Sequence, residues 1–186
     1  MKKRELKDLL YEQVARIGKA VSSPKRLELL ELLAQGEKTV EVLAAELSID
    51  VKLASAHLKA LKAARLVEHR REGKYMVYRL SGDDVGQLWV TLRGVAEEHL
   101  VELQLALQKM VAAPEQLTQA SRKELLAQAK RGEIIVLDVR PQEEYDVAHL
   151  PYARSMPVAE IERRLAELPK GREIVAYCRG PFCLFS

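Results

Sequence analysis

Residues 39–63, TVEVLAAELSIDVKLASAHLKALKA, contain the pattern that decides the fold of the first half of the chain. Thr39 can cap a short helix, because its hydroxyl can accept a hydrogen bond from a backbone N–H of the first helical turn. Ser48-Ile49-Asp50 is a tight turn, and Asp50 can cap a second helix that runs to about Ala64. The stretch therefore predicts two short helices that are joined by a tight turn.

Two further helices are predicted before this stretch. Apolar residues recur at helical spacing from Leu6 to Ile17, which indicates a first amphipathic helix. Ser23-Pro24 marks the start of a second helix, with a capping residue followed by proline in the first turn, and Gly36 marks its end. The pattern before Thr39 is therefore wholly helical.

A hairpin and a long helix are predicted after the stretch. Strand-like runs at 66–71 and 75–80 flank Glu72-Gly73-Lys74, which we interpret as a three-residue loop with glycine at its centre. A long amphipathic helix follows from about Asp83 to Val111, and Ala112-Ala113-Pro114 breaks it. Two short helices, a tight turn and a hairpin follow one another in the order of a winged helix-turn-helix.

Basic residues are concentrated on the second short helix and on the hairpin. Between Lys52 and Arg79 there are eight basic and two acidic residues, whereas the whole chain has a net charge of only +3. Such a local patch is the electrostatic footprint expected for contact with DNA phosphates. The alternative is a solvated helix face beside an ordinary basic hairpin. The residues that we predict to contact DNA are Lys52, Ser55, His57, Lys59, Lys62, Arg70, Arg71 and Lys74.

The predicted helix from Val51 has two faces. Ala54, Leu58 and Leu61 fall on one stripe and should pack inward. The lysines lie opposite, where they can reach phosphates, and small residues between them allow close approach to the major groove. His57 lies between the faces, so a packing role and a phosphate contact are both open for it.

This series of motifs resembles the ArsR family of winged-helix repressors over about residues 5–100. The matching segments are SPKRLELL at 23–30, Leu43-Ala44 to Leu47, SAHLKAL at 55–61, ARLV at 64–67, REGK at 71–74 and YRL at 78–80. The resemblance implies a homodimer built from the first and last helices of that region. It also implies binding to a palindromic operator and release of the DNA under control of an inducer.

Metal sensing, which the resemblance also suggests, is not supported by the ligands present. The third helix has no cysteine at 38–43, where thiolate sensors of the family carry them. His99 and Glu102 match one ligand pair on the last helix, but Gly86 and Leu88 stand where the other pair is expected. Two ligands fall short of a tetrahedral shell. We therefore predict no metal site and no cofactor, and a solvated His99.

The second half of the chain alternates between helix and strand. Ser121-Arg122-Lys123-Glu124 is a capping box that opens a helix through Lys130, and Gly132 ends that helix. Apolar runs at 134–137 and 174–177 are predicted strands. Alternating elements favour a parallel α/β sheet, in which the loop after the last strand lies at the carboxyl edge.

Both cysteines of the chain lie in this last loop. Cys178 directly follows the predicted strand, and a sharp turn there presents successive backbone N–H groups to the sulfur. Arg179 adds positive charge, which favours a thiolate or persulfide anion. We predict that Cys178 is the reactive thiol and that Cys183 is its resolving partner. The alternative is a pair of ordinary buried cysteines.

This second region resembles a rhodanese (sulfurtransferase) domain. The matching segments are LDVRP at 137–141, EEY at 143–145, AHLPYA at 148–153 and YCRGPFC at 177–183. The resemblance implies that Cys178 is the nucleophile that carries a persulfide. Ala148 and Tyr152 replace the usual glycines, at positions that we expect to concern packing alone. The resemblance stops after the loop, so we predict a partial domain, either an incomplete copy or a remnant.

We therefore predict a mainly α winged helix-turn-helix domain followed by a partial α/β rhodanese-like domain. Residues 1–112 form the DNA-binding and dimerisation domain, 113–120 a linker and 121–186 the rhodanese-like domain. The predicted function is a DNA-binding transcriptional regulator, a repressor, whose second domain senses a sulfur species (persulfide, polysulfide or thiosulfate). The alternative is a sulfurtransferase enzyme in which the helical region is a dimerisation platform.

Composition agrees with a cytoplasmic protein. Hydrophobic residues make up 48% of the chain and charged residues 31%, which suits a packed core with a charged surface. No apolar segment follows Met1-Lys2-Lys3-Arg4, so a signal peptide is not expected, and no stretch approaches membrane-spanning length without charge. Neither membrane contact nor a disulfide scaffold is expected.

Overall fold

The computed structural model describes residues 2–110, 120–169, 171–180 and 182. The chain divides into two compact units, Met1–Val95 and Ala96–Ser186. The predicted linker at 113–120 lies almost wholly outside the described residues, so the domain limits drawn from the sequence stay a prediction.

The first unit packs helices against a small antiparallel sheet, in which the strands lie in the order β1-β3-β2. Leucine and valine side chains from the helices and strands form one continuous buried core. Its elements in chain order are α1 (Lys3–Val21), α2 (Pro24–Ala34), β1 (Lys38–Thr39), α3 (Val40–Glu46), α4 (Val51–Ala63), β2 (Val67–Glu72), β3 (Tyr75–Leu80) and α5 (Asp83–His99), which continues into the second unit.

Both predicted caps around the tight turn are confirmed. The hydroxyl Oγ1 of Thr39 accepts a hydrogen bond of 3.3 Å from the backbone N–H of Val42 at the start of α3. The carboxylate of Asp50 accepts one of 2.9 Å from the backbone N–H of Leu53 at the start of α4. Between them Ser48 has a φ of 52°, a left-handed conformation that reverses the chain. The two short helices are therefore fixed by the bonds that the sequence indicates.

The hairpin loop is one residue shorter than expected. Glu72 pairs with Tyr75 across the two strands, so the loop consists of Gly73 and Lys74 alone. Gly73 has a φ of 59°, which glycine adopts without steric cost, and it is the first of the two loop residues. The prediction of a three-residue loop was wrong because the pairing extends through Glu72.

The long helix predicted from Asp83 is interrupted at Leu100, between α5 and α6 (Val101–Met110). The side-chain amide of Gln104 donates hydrogen bonds of 2.8 Å and 3.3 Å to the carbonyl oxygens of Glu97 and Glu98. Carbonyls at the end of a helix have no intrahelical partner, so these bonds stabilise the end of α5. The sequence has neither glycine nor proline at the break, and Val111 lies outside the described residues.

The second unit contains the predicted parallel sheet, with its strands in the order β5-β4-β6. Every residue of the central strand β4 is buried. Alternate β4 side chains pack into separate apolar clusters on the two faces of the sheet. After α6 the elements are α7 (Arg122–Arg131), β4 (Ile134–Asp138), α8 (Gln142–Val147), β5 (Arg154–Ser155), α9 (Ile161–Arg164) and β6 (Glu173–Tyr177).

The predicted capping box of α7 is confirmed in both directions. The hydroxyl of Ser121 accepts a bond of 3.3 Å from the backbone N–H of Glu124, whose carboxylate accepts one of 2.7 Å from the backbone N–H of Ser121. Gly132 closes the helix with a φ of 71°. The chain therefore enters β4 at the place that the sequence indicates.

The two residues that replace glycine are not equivalent. Ala148 has a φ of −165°, which is extended backbone that any residue adopts. Tyr152 has a φ of 69°, in the left-handed region that strongly favours glycine. The expectation that both positions concern packing alone was therefore wrong, because at Tyr152 the backbone conformation itself explains the usual glycine.

No helix in the described part of the chain combines the length and the apolar character that a membrane-spanning helix needs.

Candidate functional site

The outward side of α4 is an exposed basic surface of the helix-turn-helix. Ala54, Leu58 and Leu61 are fully buried, as the sequence predicts, and thereby fix which side of the helix faces solvent. Among the residues that the structure describes, no acidic side chain pairs with the lysines on the opposite side. We call that side the α4 face, and its members are Lys52, Ser55, Ala56, Lys59 and Lys62, of which all but the half-buried Ser55 are exposed.

The predicted contact residues differ in accessibility. Ser55 is half-buried at the edge of the α4 face, and His57 is half-buried between that face and the core. The lysines are exposed. The C-terminal end of α4 is held by a contact that the sequence did not indicate: Nη2 of Arg16 on α1 donates a bond of 3.1 Å to the carbonyl of Ala63. The first helix of the unit thereby helps to orient α4.

Arg70 on β2 is already engaged within the protein. Its Nη2 lies 2.6 Å from Oε1 of Glu37, and its Nε lies 2.8 Å from Oε1 of Glu72. Hydrogen bonding to these carboxylates raises the pKa of Arg70, and the bond from Arg70 lowers the pKa of Glu37. The charge of Arg70 is therefore offset by two acidic side chains. The sequence places Glu37 near the end of α2 and gives no signal for this contact.

The tip of the hairpin carries the other two predicted wing residues. Nε of Arg71 donates a bond of 3.0 Å to the carbonyl of Gly73, and Nζ of Lys74 lies 5.1 Å from the ring centroid of Tyr75. Both side chains are exposed. Neither contact neutralises a charge, so these two cations can reach an external anion.

Cys178 lies directly after β6, at the carboxyl edge of the parallel sheet, as predicted. The thiol is half-buried and packs, as Ile161 and Leu168 also do, against the apolar cluster of one sheet face. Its Sγ donates a bond of 3.6 Å to the carbonyl oxygen of Gly180. The expected convergence of N–H groups on the sulfur stays a prediction, because Pro181 and residues 183–186 lie outside the described residues. Cys183 lies there too.

Arg179 forms an ion pair with a buried carboxylate of α8. Its Nε lies 3.1 Å and 3.0 Å from the two carboxylate oxygens of Glu144 on α8. The Glu144 side chain is only 2% exposed and that of Arg179 12%. The guanidinium is therefore paired with a buried carboxylate, and its support for a thiolate at Cys178 stays a prediction. Sequence reasoning identified the Glu143-Glu144 motif but could not tell which glutamate is buried.

A second buried ion pair lies at the same edge of the sheet. Nε of Arg140 donates a bond of 2.9 Å to Oδ1 of Asp138, and its Nη2 donates one of 2.6 Å to Oδ2. The Tyr177 hydroxyl donates another, also of 2.6 Å, to Oδ2. Burial raises the pKa of Asp138, but the bonds from Arg140 and Tyr177 outweigh it and hold that pKa below its usual range.

The same network constrains the strand that leads into the cysteine loop. Burial, together with hydrogen bonding to Asp138, raises the pKa of Tyr177 to about 12. The Tyr177 hydroxyl also accepts a bond of 3.0 Å from the backbone N–H of Leu150. Nη2 of Arg140 donates one of 2.6 Å to the carbonyl of Ala148. The residue before Cys178 is thus fixed to the centre of the sheet and to the 148–150 segment.

Metal ligands do not come together in the described part of the chain, where no group of three or more His, Cys, Asp or Glu side chains is placed to hold an ion. His99 ends α5 with an exposed side chain, and Glu102 lies beyond the break in the next helix. The two residues therefore lie on separate helices.

Two family models match the chain, one in each half. The model described as bacterial regulatory protein, arsR family, matches residues 23–69. The model of the rhodanese-like domain matches residues 121–184. The first match covers the helix-turn-helix, and the second includes both buried ion pairs and the cysteine loop.

Relatives and solved structures agree with these matches. The HTH-type transcriptional regulator Rv0324 of Mycobacterium tuberculosis is 46% identical over 180 residues, which are 97% of this chain and 79% of that protein. A transcriptional repressor SmtB homolog of Synechocystis is 36% identical over 91 residues, 49% of this chain and 66% of that protein.

A solved structure covers the first half of the chain. It is the homodimeric winged helix-turn-helix DNA-binding domain (fragment 1–100) of Mb0332 from Mycobacterium bovis, solved by solution NMR. It is 46% identical, covers 55% of this chain and 93% of its own, and superposes with a TM-score of 0.50. The Mycobacterium tuberculosis regulator matches 97% of this chain at 46% identity, and the arsR family model matches its helix-turn-helix. The chain therefore belongs to the ArsR family of bacterial regulatory proteins. It is a DNA-binding transcriptional regulator whose winged helix-turn-helix is followed by a rhodanese-like domain.

Proposed function

We propose that the chain represses transcription by binding operator DNA as a homodimer, with the α4 face in the major groove and the hairpin beside it. The observation that carries the proposal is the α4 face itself. Its lysines are exposed directly opposite a fully buried stripe, and small residues stand between them. A helix of this kind can approach base edges closely while the lysines bind the flanking phosphates.

The proposed dimer is supported by apolar side chains that the single chain leaves in solvent. An amphipathic helix normally buries its apolar stripe, so a stripe that stays exposed indicates a partner. A second copy is the partner that we propose, and the homodimeric state of the related Mycobacterium bovis domain supports that choice. The exposed residues are Leu6, Leu9, Leu10, Tyr11 and Val14 on α1, and Val90, Leu92 and Val95 on α5.

Replacing Lys52 and Lys59 together with alanine tests the DNA contact. We expect operator binding to weaken by about 1–3 kcal/mol and the dependence of affinity on salt to become shallower, because fewer counterions are released from the phosphates. Fluorescence anisotropy with a labelled duplex from the chain's own promoter, repeated over a range of salt concentrations, measures both quantities. Unchanged affinity together with an unchanged salt slope would reject the assignment.

The wing residues give a second test. We expect replacement of Arg71 and Lys74 with alanine to weaken binding to operator and to random DNA by the same factor, because phosphate contacts carry no sequence information. Arg70→Ala is the matched comparison, and its effect should be smaller, because Glu37 and Glu72 already offset the charge of Arg70. Weakening of the operator complex alone would mean that the wing reads bases.

We further propose that the rhodanese-like domain, which we place at 121–186 after a linker at 113–120, reports sulfane sulfur to the DNA-binding domain. The position of Cys178 at the carboxyl edge of the parallel sheet supports this role. Cys178 would carry the persulfide and Cys183 would resolve it, in a cytoplasmic regulator. Mass spectrometry after exposure to inorganic polysulfide should detect added sulfur on Cys178, and on neither cysteine in Cys178→Ser. Modification of Cys183 first would contradict the assignment.

A further inference from the structure

Arg70 connects the two outer strands of the small antiparallel sheet. It lies on β2, whereas Glu37 directly precedes β1, and β3 runs between those two strands. Val77 of β3 is paired with Thr39 of β1 on one side and with Arg70 on the other. The bond of 2.6 Å from Nη2 of Arg70 to Glu37 therefore spans the width of the sheet.

All three nitrogens of the Arg70 guanidinium contact carboxylates. Nη1 and Nη2 donate to the two oxygens of Glu37 in a bidentate pair, and Nε donates to Oε1 of Glu72 at 2.8 Å. Bidentate, charge-assisted pairs are stronger and more directional than single neutral bonds. The bond from Arg70 lowers the pKa of Glu37, so this carboxylate stays charged at neutral pH. A DNA phosphate that binds the Arg70 guanidinium must therefore compete with a carboxylate.

The other arginines of the hairpin show the same division between paired and available charge. Nη2 of Arg79 lies 2.9 Å from Oε2 of Glu68, which is its direct partner across the two strands. Nε of Arg71, next to the loop, donates instead to the neutral carbonyl of Gly73. Carboxylates thus offset two of these three arginines, while the charge beside the tip stays available.

We infer that Glu37 limits the affinity of the regulator for DNA by keeping Arg70 paired on the sheet rather than on a phosphate. The inference rests on the proposed function, in which the hairpin lies beside the DNA. Glu37 acts through Arg70 and makes no contact with DNA itself. Phosphate contacts supply nearly all of the affinity for random sequence, so a cation that is held back lowers that affinity. Lower affinity for random DNA leaves more of the regulator free for its operator, because random sites far outnumber operators in a genome.

The experiment is a double-mutant cycle in the full chain. Glu37→Gln removes the charge that holds Arg70, Arg70→Ala removes the cation, and a third variant combines the two changes. Glu133→Gln is the matched control. Its pair with Arg131 in the other unit is similarly accessible, with side chains 51% and 57% exposed against 43% and 46% in the pair under test. Fluorescence anisotropy over a range of salt concentrations measures binding to a duplex from the chain's own promoter and to a random duplex of the same length.

We expect Glu37→Gln to bind both duplexes about three- to tenfold more tightly at about 0.1 M salt, because the released guanidinium adds one phosphate contact. The slope of log affinity against log salt should become steeper by about 0.9, the value for one such contact. Glu133→Gln should change neither quantity. Glu37→Gln should also change neither quantity in a chain that already carries Arg70→Ala.

Four results would overturn the inference. Unchanged affinity in Glu37→Gln would mean that Arg70 does not reach a phosphate, and a loss of affinity would mean that the pair orients the hairpin for binding. A gain that persists beside Arg70→Ala would mean that Glu37 repels the phosphates directly. A gain for the promoter duplex alone would mean that the released Arg70 reads bases.

Circular dichroism establishes that each variant is folded, and Glu37→Ala takes the place of Glu37→Gln if the glutamine variant is not. The unmodified chain distinguishes a failure of this inference from a failure of the proposed function. Binding to neither duplex overturns both. Binding that depends on Lys52 and Lys59 but shows no gain in Glu37→Gln overturns the inference alone.

Discussion

Replacing Asp138 with alanine is expected to destabilise the rhodanese-like unit by about 3–5 kcal/mol, the cost of removing one partner from a buried ion pair. The carboxylate is 0% exposed and accepts bonds from Arg140 and from Tyr177. Its loss leaves a guanidinium uncompensated inside the protein and a hydroxyl without its acceptor. Urea unfolding followed by circular dichroism measures the change.

Asp146→Ala is the matched control. Asp146 is an exposed carboxylate on α8 that accepts a bond from Gln142, so its removal should change the free energy of unfolding by less than about 0.5 kcal/mol. A loss below about 1 kcal/mol in Asp138→Ala would contradict the role that we assign to the network.

The pH dependence of the same variant follows from the pKa of Asp138. That pKa is lower in the folded chain than in the unfolded one, so the carboxylate stabilises the fold at pH values above its unfolded pKa of about 4. The contribution is lost as the pH falls through the lower, folded value. The difference in stability between the unmodified chain and Asp138→Ala should therefore be largest near neutral pH and narrow in acid.

Local bonds explain why the helix-turn-helix could be predicted from the sequence. Thr39 and Asp50 cap helices that begin one residue later, so a short segment of sequence contains both partners of each bond. The two faces of α4 follow from helical spacing alone. Leu58 and Leu61 fall on the same side of the helix because they are three residues apart, and that apolar side is the buried one. The capping box at Ser121 was equally local.

Contacts between distant segments explain which features of the structure could not be predicted from the sequence. Arg70 meets Glu37 across 33 positions, and Arg179 meets Glu144 across 35, so neither pair leaves a spacing that can be recognised. The break at Leu100 depends on one glutamine side chain that reaches back to the end of the preceding helix. In each case a polar side chain has several partners of the right chemistry, and only the fold selects among them.

The resemblances to known families supplied what local patterns could not. Cys178 was identified both by its place after a strand and by the motif around it, whereas Glu144 was visible only as one of two adjacent glutamates. Glu143 is exposed, whereas Glu144 is only 1% exposed. The packing of α8 decides which of these two glutamates is buried. A helix of six residues is too short for its apolar spacing to indicate the buried side.

Replacing Ala56 with glutamate is expected to weaken operator binding by about 3 kcal/mol, roughly a hundredfold in affinity, because it sets a carboxylate against the DNA phosphates. Ala56 is exposed at the centre of the α4 face, between Lys52 and Lys59 on successive turns. Glutamate is a good helix former, and the position contributes nothing to the buried stripe, so the fold should be unaffected. The loss should therefore come from repulsion at the interface rather than from unfolding.

Fluorescence anisotropy measures the affinity, and circular dichroism of the same sample measures the helix content. Val147→Glu is the control, because it adds the same charge at an exposed helical position of the other unit, where the side chain is 62% exposed. If the operator affinity fell equally in both variants, the effect would be one of net charge. If Ala56→Glu bound as tightly as the unmodified chain, α4 would not lie in the groove. If the α4 face lies in the major groove, only Ala56→Glu should lose operator affinity. Added salt should reduce the difference in affinity between this variant and the unmodified chain, because screening weakens the repulsion between the new carboxylate and the phosphates.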